Sequence, residues 1–172
     1  SGLIDGLLDI SKIEAGRLHL SRDEVRLHAF LDQLVGMFRL QAAAKNIEFV
    51  FQRPETLPPV VYADEKRLRQ ILINLLSNAI KFTQTGGVHF IVHYRSPVAE
   101  FEVRDTGPGI HADDLDRIFA PFERGALGVS QPQTGTGLGL TISKLLAGVM
   151  GGDIRVTSVV DKGSTFYVKM LL

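Results

Sequence analysis

The chain has 172 residues, 45% of them hydrophobic and 22% charged, which fits one globular domain with a real core and excludes a disordered segment. Its 19 basic and 19 acidic residues cancel, which excludes the cationic stripe of a nucleic-acid-binding arm. No apolar run reaches the roughly 18 residues of a membrane span, no basic-then-apolar signal segment opens the chain, and there is no cysteine for a disulfide framework or thiolate chemistry.

Leu3, Leu7 and Ile10 recur at helical spacing, with Ile4 and Leu8 beside them, and Gly16 is placed to stop the helix. The stripe starts with no N-cap ahead of it. Residues 1–16 are therefore expected to be the tail of a longer helix, the alternative being a short helix packed on its own domain. Leu18 to Leu27 alternates as a strand does. Residues 28–44 predict an amphipathic helix through Phe30, Leu31, Leu34, Val35, Phe38 and Ala42. Ile47 to Phe51 and Val60 to Tyr62 predict short strands. Asp64 is the expected cap of a long helix to about Phe82, with Leu68, Ile71, Leu72, Leu75, Leu76 and Ala79 at spacings of three and four.

A hairpin follows. With its turn at Ser96 and Pro97, Val92 faces Phe101, Phe90 faces Val103, and His93 lies beside Glu100 on the wet face. A polar, Gly-rich stretch from about Pro121 to Thr136 is expected to be a mobile lid. A helix from about Gly137 to Met150 and strands Asp153 to Val159 and Ser164 to Leu171 complete the chain. Hairpins rather than repeated βαβ units predict an α+β fold: a two-layer α/β sandwich with helices on one face of a mixed, mainly antiparallel sheet.

Three segments carry the chemistry. On the long helix, spacings of four and three put Asn74, Asn78 and Lys81 on one face bordering the apolar stripe. An amide oxygen can ligate magnesium without adding charge, and a lysine can meet a phosphate; surface polarity is the plain alternative. In Asp105-Thr106-Gly107-Pro108-Gly109-Ile110, Asp105 falls on the core side of the strand and needs a donor, while the glycines leave room for a flat ligand; the alternative is a tight turn closing a strand. Gly135-Thr136-Gly137-Leu138-Gly139-Leu140 leads into a helix whose free N–H groups suit phosphates. It matches neither the Rossmann fingerprint nor the Walker P-loop.

In combination, an Asn-x-x-x-Asn-x-x-Lys helix, then Asp-x-Gly-x-Gly, then Gly-x-Gly-x-Gly resembles the GHKL ATP-binding superfamily, with its Bergerat-type fold. Asn74-Leu-Leu-Ser-Asn78-Ala-Ile-Lys81-Phe82-Thr83 is similar to the N box of sensor histidine kinases. Phe119-Ala-Pro-Phe122-Glu-Arg124 is similar to their F box, and Gly163-Ser-Thr165-Phe166 to their last glycine motif. Leu8-Asp-Ile-Ser-Lys-Ile-Glu-Ala-Gly16 resembles the end of their second dimerisation helix, with residues 17–172 as the catalytic domain.

The resemblance implies roles. Asp105 would accept from the adenine amine, Thr165 would support the base, and Gly107, Gly109 and Ile110 would let it approach. Asn78 would ligate a magnesium ion on the phosphates, with Asn74 beside it. Lys81 would meet phosphate, Phe82 would line the nucleotide, and Arg124 would reach the γ-phosphate. Gly135, Thr136, Gly137, Leu138, Gly139 and Leu140 would form the lid hinge and phosphate cradle, with Phe119 and Phe122 at the lid's base. ATP and magnesium are the implied cofactors. The implied partners are the parent kinase's own dimerisation helices and a response regulator receiver domain, in the two-component phosphorelay of a cytoplasmic domain whose parent is open to membrane anchoring.

Asn74 stands where ATPase branches of the superfamily carry a Glu base, and an amide takes no proton at neutral pH. Fast self-hydrolysis is not expected; the γ-phosphoryl would go to an outside histidine. Of His19, His28, His89, His93 and His111, none lies in the acceptor pattern of the family, so the acceptor is expected upstream of Ser1 and this segment is not expected to phosphorylate itself. A binding-only pseudokinase and a gyrase-like ATPase are the competing functions. Degenerate boxes would mark the first and multi-turnover phosphate release the second.

Overall fold

The structure, a computed structural model, describes residues 2–120 and 138–172, and in chain order they form α1 (Gly2–Glu14), β1 (Asp23–Arg26), α2 (Leu27–Lys45), β2 (Glu48–Gln52), β3 (Val60–Ala63), α3 (Glu65–Phe82), β4 (Gly87–Arg95), β5 (Val98–Asp105), the single turn α4 (Ala112–Leu115), α5 (Gly139–Val149), β6 (Asp153–Val159) and β7 (Gly163–Leu171). Five strands make one sheet in the order β2-β4-β5-β7-β6. Only β2 with β4 is parallel; the other pairs are antiparallel. β1 and β3 form a separate two-stranded antiparallel ribbon.

Alternation sets the faces. Phe90, Val92, Phe101, Val103, Phe166, Val168 and Met170 point to one side and are buried. The predicted register holds: Val92 pairs with Phe101, Phe90 with Val103 and His93 with Glu100. α2, α3 and α5 cover that face and pack side by side, so the helices lie on one side of the sheet as expected. Leu68, Ile71, Leu72, Leu75 and Leu76 of α3 are each at most 1% exposed and meet Phe90 and Phe101, whose rings stack at 6.4 Å. Asp64 caps α3 by accepting from the Arg67 N–H at 3.2 Å, and its second oxygen accepts from Ser21 N–H at 2.9 Å.

One expectation shifts. Only Asp23–Arg26 of the Leu18–Leu27 segment is strand, because pairing with β3 begins at Asp23↔Ala63 and residues 18–22 have no strand beside them. On α1, Leu7 of the apolar stripe is exposed, whereas Ile10 and Ile13 touch the core. Gly6 is buried, where a Cβ would meet Leu138 Cδ1 at 3.0 Å and Ile142 Cδ1 at 3.1 Å. Ile4, Leu7 and Leu8 are exposed. The small residue decides which face approaches α5, and Asp9 adds an ion pair to Arg67 at 3.5 Å.

Phe101→Ala should destabilise the chain by about 3–5 kcal/mol, read as a fall in the urea midpoint at unchanged slope. Asp64→Ala should cost about 1–2 kcal/mol through lost capping.

Candidate functional site

Three elements meet along α3, with α5 at Asn74 and the β5 turn at Phe82. α3 brings Asn74, Asn78, Lys81 and Phe82, all half-buried along one side of the helix. The end of β5 brings Asp105 and the turn after it. The start of α5 brings Leu138, Gly139 and Leu140. A cleft of about 250 Å³ opens between the end of α3 and the β5 turn, lined by Phe82, Gln84, Thr85, Thr106, Gly107 and Pro108.

Asp105 is 9% exposed. Its Oδ1 accepts from the Gly107 N–H at 2.8 Å and the Ser164 N–H at 3.3 Å. Its other oxygen makes no hydrogen bond to any described residue, and no buried side-chain oxygen or nitrogen among the described residues lacks a partner. That oxygen therefore still reaches solvent. Burial pushes the carboxyl above its ordinary value, with the two N–H groups pulling the other way. A half-satisfied carboxylate can accept a further N–H. Gly109 turns the chain with φ +77°, and a Cβ there would stand 2.3 Å from the Val159 carbonyl oxygen, so only glycine fits. Ile110 then anchors the turn, its N–H donating to Ser158 Oγ at 2.7 Å. Thr106 ties the turn to the loop after α3, its Oγ1 donating to the Thr85 carbonyl at 2.8 Å.

Asn74 joins α3 to α5: its Nδ2 donates to Ser143 Oγ at 3.2 Å. Its Oδ1 faces Gly139 so closely that a Cβ there would stand 2.3 Å away. Leu138 is fully buried, and Leu140 is half-buried against the core. The Asn78 side chain makes no hydrogen bond to any described residue, which leaves its amide oxygen for a ligand. The Lys81 ammonium lies 6.0 Å from the centroid of the Phe82 ring. Among the described residues no group of three His, Cys, Asp or Glu could hold a metal. An ion bound at Asn78 would take its other ligands from water and from phosphate, which suits magnesium.

Thr165 is not brought to this group. It pairs with Arg104, on the opposite face of the sheet from Asp105, and Ser164 is the residue opposite Asp105. One step along a strand reverses the side chain. Ser164 is buried, its N–H serves Asp105, and its Oγ shares a 2.8 Å hydrogen bond with Ser158 Oγ. The alternation of Phe166, Val168 and Met170 toward the core is the signal that could have selected it. Phe119 is held as expected of a packing residue, edge-on to Phe166 at 6.4 Å with the Lys144 ammonium 4.6 Å from its ring centroid. Phe122, Arg124, Gly135, Thr136 and Gly137, with the expected lid from Pro121 to Thr136, lie outside the described residues.

Residues 63–172 match the family of histidine kinase-, DNA gyrase B- and HSP90-like ATPases. The chain belongs to that family. Among its relatives are the aerobic respiration control sensor protein ArcB of Escherichia coli K12, 44% identical over 167 residues, and the signal transduction histidine-protein kinase BarA of the same organism, 38% identical over 170 residues. These alignments cover 95% and 96% of this chain but only 21% and 18% of the two relatives. The crystal structure of full-length ShkA in complex with AMPPNP superposes with a TM-score of 0.85 at 34% identity, over 98% of this chain and 35% of that one. The nucleotide-free catalytic domain of histidine kinase ThkA superposes with a TM-score of 0.74 at 27% identity, over 88% of this chain and 98% of that one. Within the ATPase family the chain is thus an ATP-binding domain of the histidine kinase type, as its N box implies.

The raised pKa of Asp105 fixes the sign of a test. The folded state holds this proton more tightly than the unfolded chain, so the contribution to stability is complete below the ordinary carboxylate pKa and is lost as pH rises through the raised one. Asp105→Asn keeps an oxygen for Gly107 and Ser164. Without nucleotide, the variant should melt above the native chain near neutral pH, and the advantage should vanish by pH about 4. Thermal scans across that range check it.

Proposed function

We propose that the chain binds Mg-ATP in this cleft and serves as the catalytic domain of a sensor histidine kinase, donating the γ-phosphoryl to a histidine on a dimerisation helix of its parent, for relay to an aspartate of a response regulator receiver domain. The observation that carries the proposal is the half-satisfied Asp105 carboxylate, whose turn sets Gly107 against the Phe82 end of the helix that carries two amides and a lysine along one side.

In this reading the open oxygen of Asp105 accepts from the adenine amine, and Ser164 backs it from the neighbouring strand. Gly107, Gly109 and Ile110 give the base its flat wall, and Phe82 lines the nucleotide. Asn78 would hold the magnesium ion through its amide oxygen; when bound, the ion supplies charge neutralisation across the phosphates. Lys81 takes phosphate oxygens. Arg124 is assigned to the γ-phosphate, and Gly135, Thr136, Gly137, Leu138, Gly139 and Leu140 to the cradle and hinge. Catalysis is then positioning and charge balance.

Asn74 favours transfer over hydrolysis. Its amide is engaged by Ser143 and cannot deprotonate an attacking water. The five histidines of this chain lie outside the acceptor pattern, so the phosphoryl is assigned to a residue outside these 172. Residues 1–16 are read as the last turns of a dimerisation helix, seated on α5 at Gly6, and the exposed Ile4, Leu7 and Leu8 continue its apolar seam. Among the described residues no helix is long and apolar enough to cross a membrane, in keeping with a cytoplasmic domain in a parent of either kind.

Calorimetric titration with ATP should show saturable binding that strengthens with magnesium. Asn78→Asp, which puts a charge beside the triphosphate, should weaken it by about tenfold or more, with the thermal midpoint kept. Unchanged affinity in both Asn78→Asp and Asp105→Asn would remove the site assignment. Multi-turnover phosphate release by this chain alone would favour the hydrolase reading instead.

A further inference from the structure

We infer that Lys45, on a helix outside the nucleotide cleft, is a positioning residue that holds the last turn of α3, and with it Lys81, in the geometry that binds phosphate. The inference rests on the ATP-binding reading above. α2 stops at Lys45 because Asn46 turns into the left-handed region at φ 61°, its N–H bonded back to the Ala42 and Ala43 carbonyls. The lysine side chain therefore leaves α2 from a fixed point. It crosses to α3, where Nζ donates to the Ile80 carbonyl at 2.7 Å and to the Lys81 carbonyl at 2.8 Å.

These are two of the last four carbonyls of α3, which have no partner inside the helix. Thr83 takes a third, its N–H reaching the Ala79 carbonyl at 3.2 Å and its Oγ1 at 2.7 Å. The fourth, on Phe82, lies 2.9 Å from the point where a Cβ on Gly107 would stand. The helix end that walls the cleft is thus gripped from behind by one cation and pressed in front by the β5 turn. Lys45 forms no ion pair with any described residue, so these carbonyls are its partners. Burial holds its ammonium below the usual lysine value, as befits a cation partly withdrawn from water. A helix C-terminus carries about half a negative charge, which repels an incoming triphosphate unless a cation sits on it. Lys45 supplies that cation.

The test is ATP titration with magnesium on the 172-residue chain and its variants. Lys45→Met removes the donors and keeps most of the side chain's bulk; it should weaken ATP binding about tenfold, whereas Lys45→Arg should stay within about twofold. In a Lys81→Ala background, Lys45→Met should add less than about twofold, because the two residues act as one unit. A loss of the same size with and without Lys81 overturns the inference, since a general loosening of the fold would weaken both alike. So does a folded Lys45→Met chain that binds as the native one does. Where Lys45→Met melts too low to titrate, Lys45→Leu, which likewise has no donor, is held to the same criteria. A native chain that binds no ATP overturns the functional reading itself. Loss in Asp105→Asn with full binding in Lys45→Met overturns the Lys45 inference alone.

Discussion

A carboxylate withdrawn from water at the end of a central strand organises this domain. Asp105 sits opposite Ser164 and takes N–H groups from both sides of the site, one from its own turn and one from β7. Removing a carboxylate from water is costly unless donors replace its hydration. Here donors replace it on one oxygen only. The other stays directed at solvent, so the fold carries an acceptor that a ligand's N–H can complete. The flanking elements serve that arrangement: Gly109 bends the chain away beneath β6, Ser158 holds Ile110 and Ser164, and Thr106 fastens the loop after α3.

α3 supplies the polar half of the site by the opposite device. One face is among the most buried surfaces in the molecule, and the adjoining strip carries two amides and a lysine. The sheet beneath fixes the helix's rotation, and rotation decides where the strip points. Its far end is kept from fraying by Thr83 and Lys45. Its middle is pinned to α5 through Asn74 and Ser143. Through that last contact the Asn74 amide forms part of the helix interface.

Much of the fold was legible from residue order. The i, i+3, i+4 spacing of Leu68, Ile71, Leu72, Leu75 and Leu76 marks α3, and Asp64 marks its start. The period of two in Phe90–Val92 and Phe101–Val103 sets the hairpin and its register, because a slip of one residue would turn every aromatic to water. The resemblance identified the N box and the Asp105 turn. Thr165 was misjudged because a motif letter carries no face; only pairing with Arg104 shows which way that residue looks. The packed face of α1 is not marked by its larger residues: contact with α5 is set by where a helix can come close, and that is at Gly6.

The sequence by itself determined the α+β class, the element order, the hairpin register and the three polar segments, since each follows from periodicity or from a short run of residues. Only the tertiary structure decided which side of β7 meets Asp105, which face of α1 meets α5, and that a lysine ending α2 caps a helix 35 residues further on. These depend on pairs of atoms brought together by strand register and helix packing, and local sequence holds no record of a partner that distant.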